Sequence, residues 1–306
     1  MDNKVKEFYS KDLCRSYGLK HFGKDILLKK PCSLESVKKN SFFYVTRYSV
    51  KLFDKISKVE NLFIIFSDSI NLDLIPKNIS YTVFSNPRQL FFEITDKNFV
   101  KKGKVNKTYI DPSAKILGNV KIGKKVYIGR DVIINGPCKI DDGVHISENS
   151  FIDSNTTIGK NTFICSQVLI GKESLSLRND GSLNKQNSHI GGTKIGRNCR
   201  IGLNSFVSKG TIDDTVLNDN VMIGEYVSIA HNVQIGKNSV LTVGSRVCGS
   251  VKIKNSCWLG PNAIIMSQVN LTNNVKLAAG AVLHTDASKS GTYLGNPAKL
   301  LKIKKS

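Results

Sequence analysis

Isoleucine recurs at every sixth position from Ile110 to Ile170, eleven times without a gap. A second ladder of twelve aliphatic residues runs from Leu217 to Leu283, and Ile195, Ile201 and Val207 form a short one between them. A period of six fits neither the 3.6 of a helix nor the 2 of a half-buried strand. It specifies a mainly β fold, a parallel β-helix of hexapeptide repeats in which each hexad supplies one short strand and one corner. Three hexads close a triangular turn, so residues 18 apart stack on one another. Neighbouring turns then pair as parallel strands about 4.8 Å apart. Roughly eight to nine turns are expected.

The ladder breaks twice. Residues 175–194 are polar, rich in Asn and Ser, and without the period, which marks a loop projecting from the helix. Between Val207 and Leu217 the step is ten, six plus four, so residues 208–216 contain a short bulge. Loops extruded from a rigid scaffold are where binding residues gather.

Residues 1–104 lack the hexad period. Strand-like runs at Ser41-Phe42-Phe43-Tyr44-Val45, Leu62-Phe63-Ile64-Ile65-Phe66 and Tyr81-Thr82-Val83-Phe84 alternate with Lys-rich, helix-compatible stretches. Pro87 to Ile94 reads as a helix with Pro in its first turn, where the missing N–H does no harm. The reading is a small α/β domain over 1–104, joined through Lys101-Lys102-Gly103-Lys104 to a β-helix over 105–290, with a C-terminal tail over 291–306.

The hydrophobic fraction of 40% is that of an ordinary globular chain. Its apolar runs are far shorter than a membrane span, and the start lacks a secretory stretch. A cytoplasmic protein without a membrane span is expected. The seven cysteines are odd in number and form no C-x-x-C pair, so reduced thiols are expected rather than disulfides or a zinc knuckle. No metal site is expected. The net charge of +21 places lysines at solvated corners such as Gly123-Lys124 and Gly236-Lys237. The same field would draw phosphate-bearing ligands or an acidic carrier protein. The basic residues are scattered and match no nucleic-acid motif, so nucleic acid is not an expected partner.

His231 lies two positions past the rung Ile229, near a corner, and Gly249 stands one turn further on. The acidic bulge carrying Asp213 belongs to the preceding turn. An imidazole beside a free glycine N–H suits acyl transfer: the ring removes a proton from the nucleophile and the amide holds the oxyanion. The other histidines share no such setting, although His284, near the last rung, is within the reach of a ligand.

The segments Gly210-Thr211-Ile212-Asp213-Asp214-Thr215 and Ile229-Ala230-His231-Asn232-Val233-Gln234-Ile235-Gly236 resemble the UDP-3-O-acylglucosamine N-acyltransferases of lipid A synthesis, within the hexapeptide acyltransferase superfamily. The resemblance implies a left-handed coil, His231 as general base, the Gly249 N–H in the oxyanion site, and a homotrimer with sites between subunits. It implies a nucleotide-binding role for the N-terminal domain, where Ser41 through Tyr48 is similar to the uracil-holding region and Asn86-Pro87 to a recurring dipeptide. Phe43 would stack on the base, with Tyr48 or Arg47 assisting. Asn232 and Gln268 are further substrate-binding candidates.

Three departures from the family pattern stand out. Gly224, followed by Glu225, replaces an Asp seven residues before the histidine, leaving Glu225 or Asp213 to orient the imidazole. Gln268 replaces a histidine. The C-terminal helical extension gives way to Tyr293-Leu294-Gly295-Asn296-Pro297-Ala298-Lys299-Leu300, similar to hexapeptide acetyltransferases whose turn lies against CoA. Gly295 and Pro297 would shape that turn, and Lys299 would meet a CoA phosphate.

The expected activity is therefore N-acyl transfer to the amine of a nucleotide-linked amino sugar in surface polysaccharide (lipopolysaccharide) synthesis. The favoured donor is acetyl-CoA, a co-substrate rather than a tightly bound cofactor. One alternative is the lipid A enzyme using hydroxyacyl-acyl carrier protein. Another, of a different class, is a non-catalytic β-helix binding module.

Overall fold

The computed structural model describes residues 7–100, 106–179, 181 and 184–301. Two compact units divide the chain, residues 1–103 and 104–306. The expected join at Lys101–Lys104 lies outside the described residues.

The second unit is a parallel β-helix. Two- to four-residue strands stack into three parallel sheets, and every rung of the long ladders pairs with its neighbour in register: Ile110 with Ile128, Ile134 with Ile152, Ile235 with Ile253. The first sheet runs from Tyr109–Ile110, the second from Lys115–Leu117 and the third from Val120–Ile122. The interior is filled twice per hexad. The rung residue points inward, and so does the residue two before it, as the alternation of a strand requires. Val126, Val132, Val144 and Val168 hold this second position, fully buried. Cys138, Cys199 and Cys257 occupy it elsewhere as small apolar residues, and all seven cysteines are unpaired. Ser150 and Thr162 take it too, their hydroxyls donating to the carbonyls of Cys165 and Gly196, so a polar atom is carried into the core without loss.

Corners recur with a left-handed residue, and asparagine is the commonest: Asn149, Asn161, Asn204, Asn220, Asn232, Asn238, Asn262 and Asn274 have φ between 55° and 60°. Asn tolerates that region better than other residues with a Cβ.

Both interruptions leave the helix at the same edge. Ile158 pairs with Ile195, 37 residues on, 19 more than one turn, and Ile195 pairs with Leu217, 22 on, four more than one turn. The extra residues lie between the second and third sheets on successive coils. The first insertion is not irregular throughout, because Leu177–Asn179 and Asn184–Gln186 pair antiparallel. At the other end, the segment read as a tail contributes strands instead. Gly291–Leu294 adds to the first sheet beside Val275–Leu277, and Lys299–Leu300 folds back antiparallel upon it.

The N-terminal unit carries a parallel sheet in chain order: Lys30–Pro31, Ser41–Val45, Leu62–Phe66, Ser80–Val83. All five residues of Leu62–Phe66 are buried, as a strand covered on both faces demands. The helix Pro87–Asn98 runs four residues beyond the expected Ile94, and Asn86 caps it by accepting from the Gln89 N–H at 3.2 Å. Among the described residues no helix is long and apolar enough to cross a membrane.

Candidate functional site

The edge that carries both insertions also carries His231. The strand Ser228–Ile229 of the second sheet delivers the histidine to the corner, directly after the coil holding the 209–214 loop. Gly249 occupies the matching place one coil later, since Ile229 pairs with Val247.

The imidazole turns toward that glycine. A Cβ built on Gly249 would lie 2.6 Å from His231 Cε1 and 2.8 Å from Nε2, so the ring edge bearing these atoms occupies the space of the missing side chain. Among the described residues nothing accepts a hydrogen bond from the Gly249 N–H, whereas the Gly249 carbonyl accepts from the Gln268 N–H at 2.9 Å. An imidazole edge thus lies against a glycine whose amide has no acceptor among the described residues.

Asn232 sets the tautomer of His231. Its Oδ1 accepts from the Thr211 N–H at 3.0 Å and the Thr211 hydroxyl at 2.7 Å, and His231 Nδ1 lies 3.0 Å from the same oxygen. An amide N–H only donates, so this atom is oxygen and His231 Nδ1 carries the proton. In the neutral ring the lone pair then belongs to Nε2, beside Gly249.

Several expected residues stand elsewhere. Glu225 is exposed after Met222–Ile223 of the first sheet, at another corner, and makes no hydrogen bond to His231. The Asp213 side chain is exposed as well. Only its carbonyl takes part, accepting from Asn232 Nδ2 at 3.3 Å. Asn232, expected to touch substrate, is instead the residue that holds the imidazole. Gln268 is an exposed left-handed corner residue, φ 66°, adjoining Gly249 through its backbone.

The loops are locked to each other beneath His231. Ile190 N–H donates to the Thr211 carbonyl at 2.9 Å, Gly191 N–H to Gly210 at 3.1 Å, and Gly192 N–H to Asp214 Oδ1 at 2.7 Å. Gly191 admits this approach because a Cβ there would sit within 2.9 Å of three carbonyl oxygens of the 210–213 segment. Lys194 closes on Asp214 at 2.6 Å. That hydrogen bond, with the Gly192 N–H, holds the Asp214 carboxyl below its ordinary range against the opposing pull of burial.

His189, given no setting by the sequence, is buried at this junction with its ring 5.5 Å from that of His231, edge to face. It lies inside the aperiodic insertion, where the six-residue count stops giving addresses.

In the N-terminal unit Phe43 is 1% exposed, a core residue that cannot stack on a ligand. A cavity of about 400 Å³ lies instead at the C-terminal end of Ser41–Val45, lined by Arg47, Tyr48, Lys51 and Lys55 among others. Ligands of parallel α/β sheets characteristically bind there. At the other end of the chain, Gly295 has φ 91° and opens a tight turn whose Lys299 is exposed. The Gly295 carbonyl accepts from Val282 N–H, Ala298 N–H donates to the Val282 carbonyl, and His284 Nε2 lies 3.2 Å from Asn296 Oδ1. The Gly295–Lys299 turn therefore closes the last coil. Among the described residues no three His, Cys, Asp or Glu side chains gather as a metal site.

The family described as Bacterial transferase hexapeptide (six repeats) matches residues 119–154 and 214–249, the latter holding both His231 and Gly249. This is a hexapeptide-repeat β-helix. The repeat described for succinyl-transferase matches residues 192–212. Over 106 residues the chain is 34% identical to UDP-3-O-acylglucosamine N-acyltransferase of Delftia acidovorans, covering 35% of this chain and 32% of that protein. Over 125 residues it is 26% identical to the protein of the same name from Janthinobacterium sp., covering 41% and 36%. The hexapeptide-repeat chain thus spans about a third of the length of the curated relatives it matches. Its fold is that of UDP-N-acetylglucosamine acyltransferase from Campylobacter jejuni: TM-score 0.57, 24% identity, 64% of this chain and 75% of that one. Another UDP-N-acetylglucosamine acyltransferase crystal structure gives 0.52 at 26% identity, over 63% and 72%.

Proposed function

We propose that this chain transfers an acyl group from a thioester to the amine of a nucleotide-linked amino sugar. The observation that carries this reading is the close approach of the His231 Cε1–Nε2 edge to Gly249, whose N–H has no acceptor among the described residues. The neutral amine attacks the thioester carbonyl and a C–N bond forms. The carbonyl oxygen becomes an oxyanion against the Gly249 N–H, and His231 Nε2 takes one amine proton. The C–S bond then breaks, and the imidazolium returns that proton to the thiolate, which leaves as thiol. A general base of this kind contributes about 10²- to 10⁴-fold, and one oxyanion donor about 10²- to 10³-fold. Holding both substrates in line supplies much of the rest.

The relatives' name favours a 3-O-acylated UDP-glucosamine as acceptor, and the family resemblance of the sequence adds a carrier-protein thioester as donor. Arg47, Tyr48, Lys51 and Lys55 around the N-terminal cavity suit a nucleotide's base and phosphates. A second reading, acetyl transfer from acetyl-CoA, rests on the Gly295–Lys299 turn alone. The homotrimer is part of the proposal, since it would supply walls to an edge that one chain leaves open.

The test is turnover of UDP-3-O-acylglucosamine and related amino sugars with hydroxyacyl-carrier protein and with acetyl-CoA, for the native protein and His231→Ala. Activity falling at least 10²-fold in a folded variant that still binds nucleotide sugar supports the reading. Unchanged turnover defeats it.

A further inference from the structure

His189 has no part in the chemistry above, yet it is 5% exposed and set edge to face on His231, the ring planes 81° apart. Two contacts fix it. Its main-chain N–H donates to Glu173 Oε1 at 3.1 Å, and Nδ1 lies 3.0 Å from the Asn187 carbonyl oxygen. A carbonyl only accepts, so Nδ1 carries the proton and in the neutral ring Nε2 is a bare lone pair. That Nε2 is enclosed and, among the described residues, has no hydrogen-bond partner. Burying an acceptor without a donor is destabilising. A phenyl ring would fill the same space without that loss, so packing alone does not account for a histidine.

What distinguishes imidazole from phenyl here is its effect on a neighbouring charge. A general base at His231 gains a positive charge when it takes the amine proton. We propose that His189 is a positioning residue for His231: a wall that keeps the imidazole edge beside Gly249, and a ring whose polar atoms lie close enough to act on the positive charge formed in the reaction. The inference rests on the acyl-transfer reading. The enclosed setting gives the lone pair a stronger field than it would have in water. Because the charge exists only after proton transfer, the benefit falls on kcat and not on ground-state binding.

Two variants and one spectroscopic measurement test it in the full-length protein. His189→Phe keeps a ring in place, and His189→Ala removes it. The expected result for His189→Phe is a thermal midpoint no lower than native, KM for both substrates within about twofold, and kcat down by about tenfold. His189→Ala lowers kcat at least as far. Nitrogen-resolved NMR of the imidazoles shows both His189 and His231 protonated on Nδ1 in the native protein, and a mixture of tautomers at His231 in His189→Ala. Native kcat in His189→Phe would show that the ring only packs, and the inference fails. It fails equally if KM rises in step with the fall in kcat or if the phenylalanine variant melts early, since His189 then merely supports the loop. A native His189 carrying its proton on Nε2 overturns the inference without any turnover being measured. A native protein that transfers no acyl group sinks the acyl-transfer reading, and the tautomer measurement still decides the placement of His189.

Discussion

The Oδ1 of Asn232 receives the Nδ1–H of His231 at 3.0 Å while two donors of Thr211 converge on the same oxygen. The imidazole is therefore oriented by its own neighbour in sequence, and that neighbour is steadied by the bulge of the preceding coil. Asn232 is also a left-handed corner residue, φ 60°, so one side chain turns the chain and aims the ring.

Asn232→Gly separates the two roles. Glycine accepts the left-handed corner without steric cost, but the acceptor for Nδ1–H is gone. The expected outcome is a folded protein, by circular dichroism, whose kcat is lower by about 10- to 100-fold, because the Nε2 lone pair is no longer held in place.

Gly249→Ala places a methyl group where the imidazole now lies, 2.6 Å from Cε1. The ring is the part able to move, so the coil should persist while the imidazole is displaced by about an ångström. Activity is expected to fall by about 10²-fold. A crystal structure of the variant should show His231 swung away from residue 249.

Asp214 links the two loops through Lys194 and the Gly192 N–H, and its carboxyl is held below the usual range by those partners, Lys194 foremost. A depressed carboxyl stabilises the fold at pH values above its unfolded pKa of about 3.9, and that contribution is lost as pH falls through the lower folded value. Asp214→Asn should melt about 1–3 °C below native at pH 7, the modest effect of a partly exposed pair. The gap should close as both are titrated toward pH 3. A gap that widens in acid would contradict the assignment.

Phe43 and Tyr48 should behave in opposite ways. Phe43→Ala removes a fully buried ring from the N-terminal core and is expected to cost about 3–5 kcal/mol in chemical denaturation. Tyr48→Ala, at a half-exposed position on the cavity, should cost little stability and weaken UDP binding by about tenfold in calorimetric titration.

Much of this architecture is legible in the sequence. The hexad ladder fixed the three sheets and the 18-residue stacking, and through them the adjacency of His231 and Gly249, because a strict repeat converts sequence distance into spatial distance. Reading failed where the repeat stops. His189 sits in the insertion, so nothing in the spacing put it against His231. Glu225 was assigned by separation along the chain, but a corner lies between the two residues and sends them to different edges. Phe43 failed for another reason: an aromatic in a strand of a two-sided sheet is ordinarily buried, and the sequence does not reveal how completely. The Gly295–Lys299 turn has a structural employment, closing the last coil, that a motif does not disclose.

The shared exit point of the two insertions has a consequence for how such a protein can change. Residues added at that edge re-enter at the same phase, as the pairing of Ile158 with Ile195 and of Ile195 with Leu217 demonstrates. The rungs of all three sheets keep their pairing past the detour, with a register shift between Ile170 and Lys172 beside it. Segment length there is free to vary while His231 keeps its address, so the surroundings of that imidazole can be rewritten on one seam of the prism without re-engineering the pillar that supports it.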